Sequence, residues 1–315
     1  MAGSFEIGRE LTGDGRFARQ ESAFRGWVTS DGSSAFPLEA GRYHLYVSLA
    51  CGWSHRAVIV RRLKGLEAAV SMSLADPFRD ERGWAFTGGE FVDRVNGFSF
   101  LSEAYLASDP GYRARVSVPV LWDKLGGRIV SNESADIVRM FNGVFDAVAE
   151  RHVDLYPPEL RGEIDTVNEV VYEAVNNGVY KAGFAKSQEA YDEAYERLFA
   201  ALDELEARLG RSRYLIGAEP TEADWRLFPT LVRFDAVYYG HFKCNRRRIV
   251  DYPNLWAYTK DLYQLPGIAE TVAMDQIKLH YYTTHDMLNP SRIVPLGPEI
   301  DFLAPHDRAR LRSPG

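Results

Sequence analysis

The sequence predicts an α/β domain followed by an all-α domain. Two patterns lead to this expectation. Between residues 41 and 154, apolar runs of strand length stand next to an amphipathic helical segment and Gly-rich loops. After the turn-like residues 155–158, apolar residues recur at steps of three and four, which is the period of a helix. A chain of 315 residues, 46% of them hydrophobic, is long enough to bury a core in each of two domains.

The order of elements in the first half is typical of a thioredoxin fold. We predict a strand, a helix, a strand, a hairpin and a further helix, at residues 43–49, 54–63, 68–74, 116–130 and from 133 onward. Pro119 lies inside the first hairpin strand, where a proline is compatible with pairing if it precedes the strand proper and its peptide bond is cis. In a thioredoxin fold, that cis-proline lies opposite the turn between the first strand and the first helix. We therefore expect Pro119 to lie opposite the turn at residue 51, with the backbone of the preceding residue exposed to a peptide-like thiol.

The second half reads as a helical domain. One long helix is indicated by an apolar stripe that ends at Gly210 and consists of Tyr191, Tyr195, Leu198, Leu202, Leu205 and Leu209. Thr221 and Asp224 have the spacing of a helix start and are interpreted as structural. The domain boundaries that we predict are an N-terminal extension at 1–40, a thioredoxin-like domain at 41–154, a helical domain at 155–288 and a surface-wrapping tail at 289–315.

Aromatic residues in the N-terminal extension are spaced as anchors. Phe17, Phe24 and Trp27 stand in an otherwise polar and Gly-rich segment. We expect these three side chains to attach the extension to the folded body.

Composition excludes several classes of partner. A net charge of −7 argues against nucleic acid or an anionic membrane as the main partner. No apolar stretch approaches the length of a membrane span, and the first residues lack the pattern of a signal peptide. The two cysteines, Cys51 and Cys244, form no Cys-x-x-Cys pair, so a dithiol redox motif and a zinc ribbon are excluded and no metal is expected. These features predict a cytoplasmic protein.

Cys51 is the strongest candidate for a reactive group. It stands at a turn between a predicted strand and a predicted helix, where unpaired backbone N–H groups and the helix dipole favour a thiolate over a thiol. Ser54 is interpreted either as the helix N-cap or as a hydroxyl donor to the sulfur. An isolated cysteine can also be a small buried hydrophobe. The turn favours the nucleophile for Cys51, whereas Cys244 is interpreted as a packed, inert thiol.

The chain resembles the glutathionyl-hydroquinone reductases, the Xi-class glutathione transferases, over nearly its whole length. The likeness lies in residues 19–25, 83–86, 115–123, 132–134, 178–184, 237–245 and 277–282. The usual Cys-Pro-Trp-Ala-His-Arg motif of that family is altered here, because Gly52 and Ser54 replace the proline and the alanine. Proline at the first helical position lacks an N–H group, so Gly52 loosens the turn and adds one backbone donor near the sulfur.

The resemblance implies a glutathione transferase fold and a set of residues that bind glutathione as co-substrate. The backbone of Val118 would pair with the cysteinyl part of glutathione. Glu133 and Ser134, at a helix start, would bind the γ-glutamyl ammonium and carboxylate respectively. A loop-rich insertion at about residues 76–111 contains Trp84 and precedes Arg115. From this side Trp84 and Arg115 would contact glutathione, the arginine as the cationic partner of a carboxylate.

The resemblance also implies an aromatic substrate site and a reaction. Tyr180, Tyr238 and Tyr281 match family positions that converge above the thiol, and their hydroxyls can hydrogen-bond a phenol or shuttle a proton. Cys51 would attack the sulfur of a glutathionyl-hydroquinone and form a mixed disulfide with glutathione, which a second glutathione would reduce. A homodimer formed through the helical half and the C-terminal segment is expected as well.

Two other functions stay open from the sequence. One is an Omega-like glutathione thioltransferase or dehydroascorbate reductase, which would use the same Cys51 on a smaller or polar acceptor. The other is a non-catalytic interaction module with the transferase fold, in which Cys51 would be unreactive. A conventional conjugating transferase is disfavoured, because such enzymes activate glutathione with a hydroxyl and a cysteine would trap it.

Overall fold

The structure is a computed structural model that describes residues 10–311, in which two units of high internal contact density can be distinguished. The first unit contains Gln20–Asp154 and Thr271–Thr284, and the second contains residues 10–19, Leu155–Glu270 and 285–311. This division differs from the predicted domain boundaries, because residues 20–40 and 271–284 both join the first unit; the boundaries themselves stay predictions. The parts of the predicted extension and tail at residues 1–9 and 312–315 lie outside the described residues.

A four-stranded mixed sheet organises the first unit. The first unit contains the strands β1 (Val28–Thr29), β2 (Phe36–Pro37), β3 (Tyr43–Val47), β4 (Val70–Leu74), β5 (Val120–Asp123) and β6 (Arg128–Ser131). The sheet has the order β4-β3-β5-β6; β3 runs parallel to β4 and antiparallel to β5, and β5 and β6 form the predicted hairpin. β1 and β2 form a separate parallel pair. Each predicted strand of the sheet is present.

The helices of the first unit follow the predicted order. They are α1 (Gly52–Leu63), α2 (Ser102–Ser108), α3 (Ser134–Asn142) and α9 (Met274–Thr284). All five residues of β3 are buried, as expected for a central strand whose apolar run is covered on both faces. A hydrophobic core that includes Tyr46, Trp84, Tyr105 and Trp122 fills this unit, and Cys51 packs against it.

Helix α9 belongs to the first unit through contacts of its side chains. His280 stacks on Trp84 with 4.9 Å between the ring centroids. The Nδ1 atom of His280 also lies 2.8 Å from the carbonyl oxygen of Pro77. Since these partners are distant in the chain, with 203 positions between Pro77 and His280, the periodicity of α9 could not indicate the unit to which it belongs.

The second unit is helical. Its helices are α4 (Arg161–Val170), α5 (Gly178–Phe184), α6 (Gln188–Leu209), α7 (Glu222–Arg233) and α8 (Pro253–Tyr263), with π-helical segments at Val171–Asn176 and Phe234–Tyr238. The predicted long helix is α6, in which the leucines of the stripe are buried. The Thr221–Asp224 helix start is confirmed as a capping box of α7.

The predicted aromatic anchors differ in their burial. Phe17 is buried, and Phe24 is half-buried and packs against the core of the first unit. The prediction for Trp27 is wrong, because 40% of this residue is exposed. It immediately precedes β1 of the separate pair β1–β2, and the pattern of the segment does not indicate which aromatic ring faces water.

One arginine fixes the described part of the tail to the second unit. The guanidinium of Arg308 is buried and donates hydrogen bonds to the carbonyl oxygens of Leu209, Ser212 and Arg213, at 2.7, 2.5 and 2.6 Å. Because Leu209 ends α6, this cation also meets the carbonyl end of a helix. In contrast, Leu296 is fully exposed.

Candidate active site

Cys51 is the N-cap residue of α1, at the predicted turn between β3 and the helix. Its backbone is extended, with φ −79° and ψ 122°, and its N–H donates to the carbonyl oxygen of Ser48 at 3.0 Å. Its own carbonyl accepts from the N–H of His55 at 3.0 Å, which closes the first helical turn. The thiol is half-buried. Because Cys51 is the residue at which α1 begins, the unpaired N–H groups of the first helical turn lie close to it.

The backbone of Val118 lies beside the thiol. The Sγ atom of Cys51 donates to the Val118 carbonyl oxygen at 3.7 Å. The peptide bond between Val118 and Pro119 is cis, which confirms the prediction made from the proline inside the hairpin strand. The sulfur and this backbone edge are therefore adjacent, as a peptide-like thiol bound along the edge would require.

Ser54 has neither of the arrangements expected from the sequence. The N-cap of α1 is Cys51, so the interpretation of Ser54 as the cap is wrong. Its hydroxyl is fully buried and makes no hydrogen bond within residues 10–311, to the sulfur or to any other atom. His55, next along the helix, is also buried, and its Nε2 atom lies 2.8 Å from the hydroxyl of Thr271.

Trp84 is held between two partners in the core of the first unit. Only 3% of the residue is exposed; one contact is the stacked ring of His280, and the other is the guanidinium of Arg79, 5.0 Å from the ring centroid. Arg115 is half-buried, and its carbonyl accepts from the Tyr112 hydroxyl at 2.6 Å. Trp84 thus belongs to the hydrophobic cluster against which Cys51 packs. The contacts of Trp84 and Arg115 with glutathione stay predictions.

Glu133 and Ser134 lie at the start of α3. Glu133 is the N-cap, and its Oε1 atom accepts from the N–H of Ala135 at 3.0 Å. The Oε2 atom of Glu133 accepts from the hydroxyl of Ser22 at 2.9 Å. Ser134, the first residue of α3, is buried. The carboxylate is thereby oriented by two donors at a helix terminus whose dipole favours a bound anion.

The three tyrosines are divided between the units. Tyr180 on α5 and Tyr238 in the Phe234–Tyr238 segment belong to the second unit, with 6.0 Å between their ring centroids. Tyr281 is buried on α9, in the first unit with Cys51. The structure therefore brings two of the three predicted rings together within one unit, and the convergence of all three on the thiol stays a prediction.

Arg19 is a neighbour of Tyr180 that no local pattern in the sequence predicts. Its guanidinium lies 4.7 Å from the centroid of the Tyr180 ring, within the range of a cation–π contact. Its Nε atom donates to Oδ1 of Asn177 at 2.8 Å, which fixes the guanidinium over the ring. The only signal in the sequence was that Arg19 begins one of the segments of family likeness.

Cys244 has the environment of an inert thiol. It is fully buried, and its sulfur donates to the carbonyl oxygen of Phe242 at 3.8 Å. Burial raises the pKa of the Cys244 thiol far above its ordinary value. The thiolate of Cys244 is therefore strongly disfavoured.

The described residues contain neither a metal cluster nor a membrane helix. Among residues 10–311, no three His, Cys, Asp or Glu side chains are grouped so that they could hold a metal ion. Across the same range, no helix combines the length and apolar character needed to cross a bilayer.

Comparison with known proteins defines first the class and then the family. Residues 50–143 match the family model of the glutathione S-transferase N-terminal domain, and residues 188–261 match that of the C-terminal domain. The chain is therefore a protein of the glutathione transferase fold. The matched ranges include both Cys51 and the start of α3.

Relatives of known name and structure narrow the class. The chain is 52% identical to glutathionyl-hydroquinone reductase YqjG of Escherichia coli K12, over 93% of this chain and 92% of the relative, and 50% identical to glutathionyl-hydroquinone reductase PcpF of Sphingobium chlorophenolicum, over 90% of each. The glutathione-bound structure of YqjG superposes with a TM-score of 0.89, covering 91% of this chain and 96% of that one. A Xi-class transferase from Natrialba magadii, 50% identical, has a TM-score of 0.90 and covers 96% of both chains. The chain belongs to the glutathionyl-hydroquinone reductases, the Xi-class glutathione transferases.

Proposed function

We propose that this protein removes glutathione from glutathionyl-hydroquinones, with Cys51 as the attacking thiol and glutathione as the co-substrate. The observation that carries the proposal is the half-buried thiol at the N-terminus of α1, 3.7 Å from the Val118 carbonyl oxygen. A thiol in this position meets helix N–H groups on one side and the backbone of Val118 on the other. The names of the two curated relatives favour this substrate class over the Omega-like alternative.

The first half-reaction transfers the glutathionyl group to the enzyme. The Cys51 thiolate attacks the sulfur of the substrate, so a disulfide between Cys51 and glutathione forms and the bond between sulfur and ring carbon breaks. The electron pair of the broken bond goes to the ring, which takes up a proton and leaves as hydroquinone. The two sulfurs are oxidised to a disulfide and the ring is reduced by two electrons.

The second half-reaction restores the thiolate. The thiolate of a second glutathione attacks the glutathionyl sulfur of the mixed disulfide, and oxidised glutathione leaves with Cys51 as the leaving group. A single enzyme cysteine is sufficient for this cycle. Cys244 is therefore not needed as a resolving thiol, in agreement with its burial.

Residues of the first unit supply the glutathione site in this proposal. The backbone of Val118 pairs with the cysteinyl part, and Glu133 and Ser134 bind the γ-glutamyl group at the start of α3. Support comes from the Glu133 carboxylate, which two hydrogen bonds hold in a fixed direction at that helix start. Trp84 and Arg115 contact glutathione from the insertion that precedes β5.

The aromatic ring is assigned to Tyr180, Tyr238 and Tyr281. In this proposal their hydroxyls hold the ring as its keto tautomer and protonate the developing oxyanion. Support comes from the packing of Tyr180 against Tyr238 and Arg19, which orients the ring that bears the hydroxyl. The cytoplasm, where glutathione is reduced, is the proposed location.

The substrate class is tested by a direct comparison of acceptors. The purified protein with glutathione is expected to convert a glutathionyl-hydroquinone into equimolar hydroquinone and oxidised glutathione, measured by liquid chromatography. Dehydroascorbate at the same concentration should be reduced more slowly. Faster reduction of dehydroascorbate would favour the Omega-like function, and no reaction with either acceptor would favour a non-catalytic module.

A homodimer formed through the helical half is proposed from family membership. We expect light scattering coupled to size exclusion to give twice the chain mass of 35.6 kDa at micromolar concentration. Interfaces of stable homodimers are largely apolar, so the dimer should persist at high salt, which weakens charged contacts. A mass equal to that of one chain would contradict the proposal.

A further inference from the structure

Ser54 carries a buried hydroxyl that the described structure leaves without a partner. The residue is 0% exposed, and its Oγ atom makes no hydrogen bond within residues 10–311. A buried polar group without a partner is energetically unfavourable, because it has lost its hydrogen bonds to water. A buried hydroxyl without a partner indicates that an acceptor forms in another state of the protein. In the structure Cys51 is a thiol, which donates to the Val118 carbonyl oxygen.

The geometry of the helix start directs Ser54 toward the sulfur. Cys51 is the N-cap of α1 and Ser54 is the third residue of the helix. Because the side chain of an N-cap residue folds back toward the second and third helical residues, we infer that the Cys51 sulfur lies on the side of the first turn that carries Ser54. Side chains of a helix tilt toward its N-terminus, which for Ser54 is the direction of Cys51. Rotation of the Oγ atom about the side-chain bond can therefore bring the hydroxyl to the sulfur without movement of the backbone.

Ionisation of the thiol creates the acceptor. A thiolate has no proton to donate to the Val118 carbonyl oxygen and instead accepts hydrogen bonds. We propose that the Ser54 hydroxyl donates a hydrogen bond to the Cys51 sulfur whenever that sulfur carries negative charge, and that Ser54 is thus a positioning residue of the reaction. This inference rests on the proposed function only in taking Cys51 as the attacking thiol.

The same hydrogen bond acts in both half-reactions. It stabilises the thiolate that attacks the substrate, and it stabilises the thiolate that leaves when a second glutathione reduces the mixed disulfide. Gly52, at the first position of α1, adds one backbone N–H to the same turn. The turn of this chain therefore contains one hydroxyl and one N–H group more than the usual Cys-Pro-Trp-Ala sequence would supply.

The central test compares two serines in a Cys244→Ala background, so that Cys51 is the only thiol. Ser48 is the matched control, because it too is fully buried, lacks a hydrogen-bond partner for its hydroxyl within residues 10–311 and adjoins the turn, but it lies outside α1. The measurement is the rate of alkylation of Cys51 by iodoacetamide as a function of pH. Ser54→Ala should move the midpoint of this profile upward by about 0.5–1 pH unit, and Ser48→Ala should leave it unchanged.

A second variant tests the adjacency of the two side chains without relying on the hydroxyl. Treatment of the Ser54→Cys variant with oxidised glutathione should first form a glutathione adduct on Cys51. The introduced thiol should then attack this adduct, release glutathione and leave an intramolecular disulfide. Intact mass should therefore fall by two hydrogens relative to the reduced protein. A stable glutathione adduct would show that position 54 does not reach the sulfur and would overturn the proposal.

Two further outcomes would also overturn it. An unchanged alkylation profile in Ser54→Ala would show that the hydroxyl does not interact with the thiolate, and equal shifts in both serine variants would assign the effect to the packing of the turn. Alkylation does not involve the hydroquinone. The parent protein could therefore lack reductase activity while Ser54→Ala still shifts the alkylation profile. That outcome would contradict the proposed function and leave this inference intact.

Discussion

Cys51→Ala is expected to lower turnover of a glutathionyl-hydroquinone by at least about 10⁴-fold. Removal of a nucleophile from a covalent mechanism typically causes losses of this size, because the remaining residues bind the substrate but cannot form the intermediate. The measurement is the rate of hydroquinone release at saturating glutathione. Intact mass spectrometry should also show that the parent protein, but not the variant, acquires one glutathione when substrate is added without excess thiol.

Cys244→Ala is the matched control for that experiment. Its sulfur is buried in the second unit and its thiolate is strongly disfavoured, so the variant should retain nearly the whole turnover rate. Thermal unfolding of both variants would show whether the fold is retained. Comparable loss of turnover in two folded variants would contradict the mechanism with one cysteine, and full turnover by Cys51→Ala would exclude the covalent intermediate.

Tyr→Phe substitution at Tyr180, Tyr238 or Tyr281 should slow release of hydroquinone by roughly 10- to 100-fold. The ring is a poor leaving group until its oxygen is polarised or protonated, so the phenolic hydroxyl acts on the first half-reaction. Phenylalanine keeps the ring contacts and removes only the hydroxyl. For Tyr180 this preserves the packing against Tyr238 and the Arg19 guanidinium.

Single-turnover experiments separate the two half-reactions. Reduction of a preformed disulfide between Cys51 and glutathione should proceed at the parent rate in the three variants, because this step involves no aromatic ring. Tyr195→Phe is a suitable control, since this half-buried residue of α6 packs against Tyr191 and Phe199 and has no proposed role. Equal slowing of both half-reactions would show that the tyrosines are structural.

The sequence predicted those parts of the fold that depend on local pattern. The apolar run of β3, the turn at Cys51, the hairpin with the cis bond before Pro119 and the helix that begins after Glu133 are all present. Each of these features depends on residues that are near one another in the chain. The capping box of α7 was predictable for the same reason, because its two side chains are three residues apart.

Errors occurred where a residue's role depends on the local backbone conformation or on distant partners. One of the two interpretations of Ser54 is the N-cap, but the cap of α1 is Cys51, since the extended backbone that defines the cap occurs three residues earlier. Trp27 was expected to be an anchor and is exposed. Arg19 was not singled out, because its contact with Tyr180 joins residues that are far apart in sequence.

The sequence by itself determined the family, the choice of Cys51 as the candidate nucleophile and the order of elements, because local periodicity, turn residues and motif likeness are properties of short segments. Only the tertiary structure decided that α9 joins the unit that contains Cys51 and that the Cys51 sulfur lies beside the Val118 carbonyl oxygen. The structure alone also showed that the Ser54 hydroxyl is buried without a partner among the described residues. These facts depend on contacts between segments that are distant in the chain, and on burial, which no local pattern specifies.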